Sequence, residues 1–297
     1  MSWTSGPAPV VVGVDGSPSS DRAVDWATDE AARRNLPLQL FNAWNVDFSA
    51  EFGASLLPAI EQESADVLRA AEDRARAISS SVRITRRQER SGPSAALVTA
   101  SLMADTVVLG HRGKGAVERI LTGSTSMQVS AHAHCPVLVV PEASVILPGT
   151  GHVVVGVDGS PASLQAVGYA VVQASLRGSD LTVVHAWDVG LVQGTLALNA
   201  PIEVWEGFDA ERVALASEAA AGWAETYPDV KVHTRVVHGR PADGLVHASS
   251  NAELLVVGSR GRGGFLGLLL GSVSRTVLHL ARCPVAVVHA NRYQRSW

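Results

Sequence analysis

Gly258-Ser259-Arg260-Gly261-Arg262-Gly263-Gly264-Phe265, closed by Gly271-Ser272-Val273-Ser274, is the stretch on which the reading of the whole chain rests. Before it, Glu253-Leu254-Leu255-Val256-Val257 is an apolar run bounded by a glycine, the pattern of a buried strand. After it, Val273, Val277, Leu280 and Ala281 recur at helical spacing, so a helix begins at Gly271-Ser272. A strand, a glycine- and arginine-rich loop without an acid, and a helix start place unpaired backbone N–H groups and the positive end of a helix dipole together. That combination suits a phosphate group.

The arrangement occurs once more upstream, as Gly110-His111-Arg112-Gly113-Lys114-Gly115 closed by Gly123-Ser124-Thr125-Ser126. The offset is constant, 258 − 110 = 148 and 271 − 123 = 148, and both copies read G-x2-G-x9-G-S. The cysteines Cys135 and Cys283 are also 148 apart (283 − 135), so they occupy one position of a repeat and are expected to pack at the Cys-Pro entry to a last strand. No disulfide or metal role is expected of them in a reducing compartment.

The chain of 297 residues is long enough for two domains with real cores, and the repeat makes them 8–141 and 151–290, joined by a linker at 142–150. Apolar residues make up 46% and charged ones 18%, which excludes disorder. The net charge of −4 gives no global field for nucleic acid or anionic membrane, so any anion site must be local. No apolar run reaches the roughly 18 residues of a membrane span, and the start of the chain does not read as a secretory signal. The expectation is a cytoplasmic protein with no membrane insertion and no nucleic-acid partner.

Each copy opens with the same nine residues, Val10-Val11-Val12-Gly13-Val14-Asp15-Gly16-Ser17-Pro18 and Val153 to Pro161. An apolar run without alternation suits a parallel strand buried on both faces, and Ser-Pro supplies an N-cap and first-turn proline. Second strands are expected at Leu38 to Trp44 and Leu181 to Trp187, followed by long helices at about Ile60 to Ser79 and Asp209 to Thr226. Third strands fall near Val82 to Glu89 and Val230 to His238, fourth strands at Thr106 to Leu109 and Leu254 to Val257, and fifth strands at Pro136 to Val140 and Pro284 to Val288. Strands alternating with helices predict an α/β fold, two doubly wound domains each with a five-stranded parallel sheet and helices on both faces.

In such a sheet, ligands bind beyond the carboxyl ends of the strands where strand order reverses. Asp15 or Asp158 ends strand one, and the glycine loop follows strand four. They share a ligand if the order is 3-2-1-4-5. A nucleotide fits, with ribose hydroxyls or phosphate-bound Mg²⁺ near the aspartate, phosphates on the loop, and the base near Ala43 or Ala186 at the end of strand two. Neither a Walker A loop nor a dinucleotide fingerprint is present, since Lys114 is followed by Gly115 and strand one leads into Gly13-Val14-Asp15-Gly16.

Two copies of V-V-V-G-V-D-G-S, each followed by G-x2-G-x9-G-S and a C-P-V final strand, resemble a tandem universal stress protein of the ATP-binding type, from about Val10 to His289. The resemblance implies ATP with Mg²⁺ at each domain, little or no turnover, and a role as a nucleotide-dependent stress or growth regulator. It also implies pairing of domains through their fifth strands and leaves open a homodimer. Tandem members are frequent in actinobacteria, including mycobacteria, where they are linked to hypoxia, dormancy and growth control. Carried across by motif, Gly13, Asp15, Gly110, Arg112, Gly113, Gly123, Ser124 and Thr125 form the first site. Gly156, Asp158, Gly258, Arg260, Gly261, Gly271, Ser272 and Val273 form the second. The remaining loop residues are His111, Lys114 and Gly115 in one copy and Ser259, Arg262 and Gly263 in the other. Thr125 stands in the place of Val273, and Ser130 and His132 in those of Leu278 and Leu280, so the second site is expected to be the tighter.

No residue is assigned a catalytic role, and His132 and His134 diverge on a helix without a second ligand pair, so no metal site is expected. Trp44 and Trp187 are expected to pack the core or rim the base site, and Arg83, Arg86, Arg87 and Arg90 to form a solvated strand face. The alternative function is a slow ATPase or phosphotransferase in which Asp15 or Asp158 holds Mg²⁺ and Arg112 or Arg260 steadies transferred charge. A scaffold in which nucleotide is structural is the third reading.

Overall fold

Val10–Gly13 (β1) and Val153–Gly156 (β6) are the strands around which each half is built, and the valines of both are buried. The computed structural model describes residues 6–45, 53–113, 123–142, 151–187, 202–262 and 269–290. The chain divides into two units, Met1–Glu142 and Ala143–Trp297.

In the first unit β1 is followed by α1 (Pro18–Arg33), β2 (Leu38–Ala43), α2 (Gly53–Ile78), β3 (Ile84–Glu89), α3 (Pro93–Ala100), β4 (Thr106–Gly110), α4 (Ser124–His132) and β5 (Val137–Val140). The strands pair in parallel in the order β3-β2-β1-β4-β5, with Val10 opposite both Leu38 and Thr106. The second unit repeats this after β6 with α5 (Pro161–Arg177), β7 (Leu181–Trp187), α6 (Ile202–Ala220), α7 (Trp223–Thr226), β8 (Val232–His238), α8 (Pro241–Ala248), β9 (Leu254–Gly258), α9 (Ser272–Leu280) and β10 (Val285–Val288). Its order is β8-β7-β6-β9-β10, also parallel. Strands one and four are neighbours in both units, as the shared-ligand argument requires.

Helices α1 and α2 pack together and α3 packs with α4, giving the first sheet a helical layer on each face, and α5 with α6 and α8 with α9 do the same for the second. The strands buried between these layers are continuous valine and leucine runs, which is why they show no alternation.

The larger differences from the sequence expectation lie at the third strands and the long helices, of which α6 begins at Ile202 rather than near Asp209. The third strands begin at Ile84 and Val232, because Val82 and Val230 are buried anchors that precede the ladder. Helix α2 starts at Gly53, with Pro58 inside it. The long helix expected to run to Thr226 stops at Ala220 and resumes as α7, because Gly222 adopts a left-handed φ of 84°, which a helix cannot propagate. The basic cluster is more engaged than a solvated face. Arg86 pairs with Glu72 at 3.2 Å, Arg87 lies over the Phe41 ring, and Arg90 lies over Trp44.

Candidate nucleotide site

Asp158 follows β6 and enters α5 through a turn in which Gly159 takes a left-handed φ of 77°. Ser160 caps α5: its Oγ accepts from the Ser163 N–H at 3.3 Å, and proline follows at the first helical position. The same hydroxyl donates to the Arg260 carbonyl at 3.2 Å, so the helix cap also tethers the glycine loop. Asp158 Oδ1 accepts the Ser160 N–H at 2.9 Å and Oδ2 accepts the Arg262 N–H at 3.0 Å. Burial raises the Asp158 pKa, but these bonds, with the hydroxyls of Ser160 and Ser163, outweigh it and hold the carboxyl below the ordinary aspartate value. Asp158 is therefore a fixed negative charge against the loop, and a Cβ at Gly261 would collide with its Oδ2.

The loop is closed by backbone. The Ser259 N–H donates to Val288 O at 2.7 Å, and the Gly271 N–H donates to Ser259 O at 2.8 Å. Ser274 Oγ donates to Gly258 O at 2.6 Å, binding the first turn of α9 to the end of β9. At Gly271 no side chain caps α9. Both first helices are serine-capped, whereas the helices after the glycine loops begin at a glycine with no side-chain cap. Their first-turn N–H groups are therefore left to another acceptor.

These groups meet in a cavity of about 400 Å³. Its polar side carries Asp158, Arg260, Gly261, Arg262, Gly271 and Ser272, and its apolar side is built from Val157, Val184, Ala186, Leu245 and Val257. Gly156, Gly258 and Val273 also line it. Ser259 is not among the residues lining it: it is 2% exposed, and its backbone makes the two bonds that close the loop. Gly263 lies outside the described residues.

Sequence reasoning missed Val157, Ser163, Val184, Pro241, Leu245, Val257 and Ser274 on the cavity wall. A signal existed, for S-P-x-S follows the aspartate in both copies and P-x3-L begins both Pro93–Ala100 and Pro241–Ala248. It also missed His185, which is buried and bonded through Nδ1 to Val157 O at 2.8 Å, just before Asp158. Burial lowers the His185 pKa below 6.5, so the neutral ring donates that bond. Asn42 Nδ2 makes the equivalent bond to Val14 O at 2.6 Å.

The first unit assembles the same frame. Asp15 Oδ1 accepts from Ser17 N–H and Oγ at 3.0 and 2.6 Å, and Ser17 Oγ also approaches Arg112 O at 3.3 Å. His111 holds the loop as Ser259 does, its N–H on Val140 O and its carbonyl accepting from Gly123 N–H. Ser126 Oγ donates to Gly110 O at 2.7 Å. A Cβ at Gly113 would lie 2.5 Å from Asp15 Oδ2, so loop and carboxylate are again in contact. Gly13 ends β1, Ala43 ends β2, and Ser124 and Thr125 open α4. Lys114 and Gly115 lie outside the described residues. One difference is chemical: Arg112 N–H donates to Ser19 Oγ at 3.2 Å, where the second unit has Ala162.

Neither tryptophan at the end of a second strand is a free stacking platform. Trp187 is 7% exposed, edge-on to His238 and under Arg212, and Trp44 lies under Arg90. His132 and His134 sit at the C-terminal end of α4, where His132 Nδ1 meets Gln128 O.

The family model described as the universal stress protein family matches residues 8–141 and again 149–289. Universal stress protein Rv2005c of Mycobacterium tuberculosis is 41% identical over 94% of this chain and 96% of its own. A second protein of that organism, Rv1996, is 39% identical over 94% of each chain. A solved universal stress protein from Archaeoglobus fulgidus shares the fold with a TM-score of 0.67 at 19% identity, covering 95% of this chain and 98% of its own. With two matched domains and relatives aligned along almost its full length, the chain belongs to the universal stress protein family as a tandem member.

Proposed function

We propose that the chain is a nucleotide-dependent regulator that holds ATP with Mg²⁺ in the cavity of the second unit and signals by occupancy, with little or no hydrolysis. One observation carries this reading: a single cavity joins an uncapped helix start, a glycine loop and two arginines to an apolar lobe. Phosphates fit the N–H groups at Gly261, Ser272 and Val273 with Arg260 beside them. A flat base fits Val157, Val184, Ala186 and Leu245, and the Asp158 carboxylate accepts from ribose hydroxyls. Mg²⁺ would accompany the phosphates and neutralise part of their charge. The resemblance of the motif to the ATP-binding type selects ATP among nucleoside triphosphates.

Asp158 is the one carboxylate among the described residues lining the cavity, and two backbone N–H groups already hold it. Its place beside Arg260 favours a slow ATPase or phosphotransferase as the second reading. Calorimetric titration of ATP and Mg²⁺ into nucleotide-stripped protein is expected to give saturable binding. Its absence from folded protein would overturn the nucleotide reading. Phosphate release is expected to be the same in wild type and Asp158→Ala, and a rate abolished by the substitution would favour the enzyme.

Among the described residues no helix is long and apolar enough to cross a membrane.

A further inference from the structure

The two units share Gly13 and Gly156, Ala43 and Ala186, Leu97 and Leu245 at the apolar end of the site, but not the residues beside them. Register places Phe41 opposite Gly13 on β1, where Val184 stands opposite Gly156 on β6. Pairing of Val12 with Val108, and of Val155 with Val256, sets Leu109 and Val257 in equivalent places one step further on. Val184 and Val257 line the cavity of the second unit. At the matching points the first unit has an aromatic ring and a longer aliphatic chain.

The longer side chain of Leu109 lies over the strand. A Cβ built on Gly13 would meet Leu109 Cδ2 at 2.6 Å, with Leu97 standing off at 3.5 Å. On Gly156 the three nearest atoms all belong to Leu245, at 2.8, 3.0 and 3.6 Å. Leu109 therefore fills the space over Gly13 that Leu245 fills over Gly156, and Leu97 is held further out. Phe41 is 1% exposed, and the Arg87 guanidinium lies 5.3 Å from its ring centre while pairing with Glu89 at 2.9 Å. Opposite Val184 the second unit has Arg235, which is exposed. A close-packed wall pinned in this way does not yield to a ligand as a loop would.

We infer that Phe41 and Leu109 exclude a nucleoside base from the first unit, so that the chain binds ATP at its second unit alone. This rests on the nucleotide reading above and revises the expectation of one ATP per domain. The specificity-determining difference is Phe41 and Leu109 against Val184 and Val257.

The test uses the full chain, stripped of nucleotide and titrated with ATP and Mg²⁺. Wild type is expected to bind one ATP per chain, and the double variant Phe41→Val, Leu109→Val to bind two. The reciprocal variant Val184→Phe, Val257→Leu is expected to lose affinity by about 100-fold, the scale at which a hydrophobic pocket discriminates by size. Two sites in wild type, or one in a folded opening variant, overturns this inference and leaves the nucleotide reading standing. No binding in wild type overturns both. If the opening variant does not fold, photolabelling of wild type with an azido-ATP decides: label on peptides of the second unit only is expected, and label on β2 or β4 peptides overturns the inference.

Discussion

Gly261 is where the site is most sensitive to a single atom. Its Cα faces Asp158 Oδ2 so closely that no side chain fits between them. Gly261→Ala displaces the carboxylate or the loop and breaks their contact, and is expected to weaken ATP binding by about tenfold, corresponding to about 1.4 kcal/mol, by titration of the folded variant. His185 tests the electrostatics one residue away. Burial lowers its pKa, with the nearby Arg212 and Arg262 lowering and Asp158 raising it. The neutral ring is favoured in the folded state, so its contribution to stability is complete above the ordinary value of 6.5 and is lost as pH falls through the lower folded pKa. His185→Asn, which takes the residue found at position 42, is expected to flatten the fall in melting temperature between pH 8 and pH 5. An unchanged profile would place the acid sensitivity elsewhere.

At the scale of elements, helices of one fold are started in two ways for two purposes. Ser17 and Ser160 satisfy the first-turn N–H groups of α1 and α5 internally, with Ser20 and Ser163 N–H donating to them at 3.2 and 3.3 Å. Gly123 and Gly271 leave those of α4 and α9 available. Gly271 has φ −68° and ψ 155°, and a Cβ there would meet nothing closer than 3.5 Å, so serine is accommodated. Gly271→Ser is expected to raise stability by a few tenths of a kcal/mol in urea unfolding while weakening ATP binding, because the new hydroxyl occupies a donor the phosphates use. A variant both more stable and equally tight would show that α9 does not hold the ligand. Gly222 illustrates the opposite limit of sequence reading: the helical pattern continues through it, and only its left-handed conformation separates α6 from α7.

Over the whole molecule, each unit carries one thiol at the start of its last strand, and both are buried at 5% exposure. Burial pushes the Cys283 pKa up to about 11, so little thiolate exists near neutral pH. Neither thiol is expected to react with iodoacetamide in the native chain, and both should react in denaturant. In intermediate urea the two thiols report the opening of their own units. ATP stabilises only what binds it. Saturating ATP is therefore expected to slow labelling of Cys283 and leave Cys135 unchanged, read by peptide mass spectrometry. Equal protection of both would oppose a single base-accepting unit.

The order of elements, the parallel sheet and the places of both glycine loops were legible in the sequence, because each depends on a short run of neighbours. Uninterrupted valines make a doubly buried strand, Ser-Pro starts a helix, and a glycine-rich turn after a strand stays near its end whatever packs around it. Tertiary structure decided what those pieces make together. The Arg262 N–H reaches Asp158 from 104 residues away, and Ser259 turns into the core while its neighbours line the cavity. The difference between Phe41 and Val184 matters only because strand register sets each beside a glycine at the ligand's apolar end. Such contacts depend on side-chain volume summed across distant segments, and no local pattern encodes that sum.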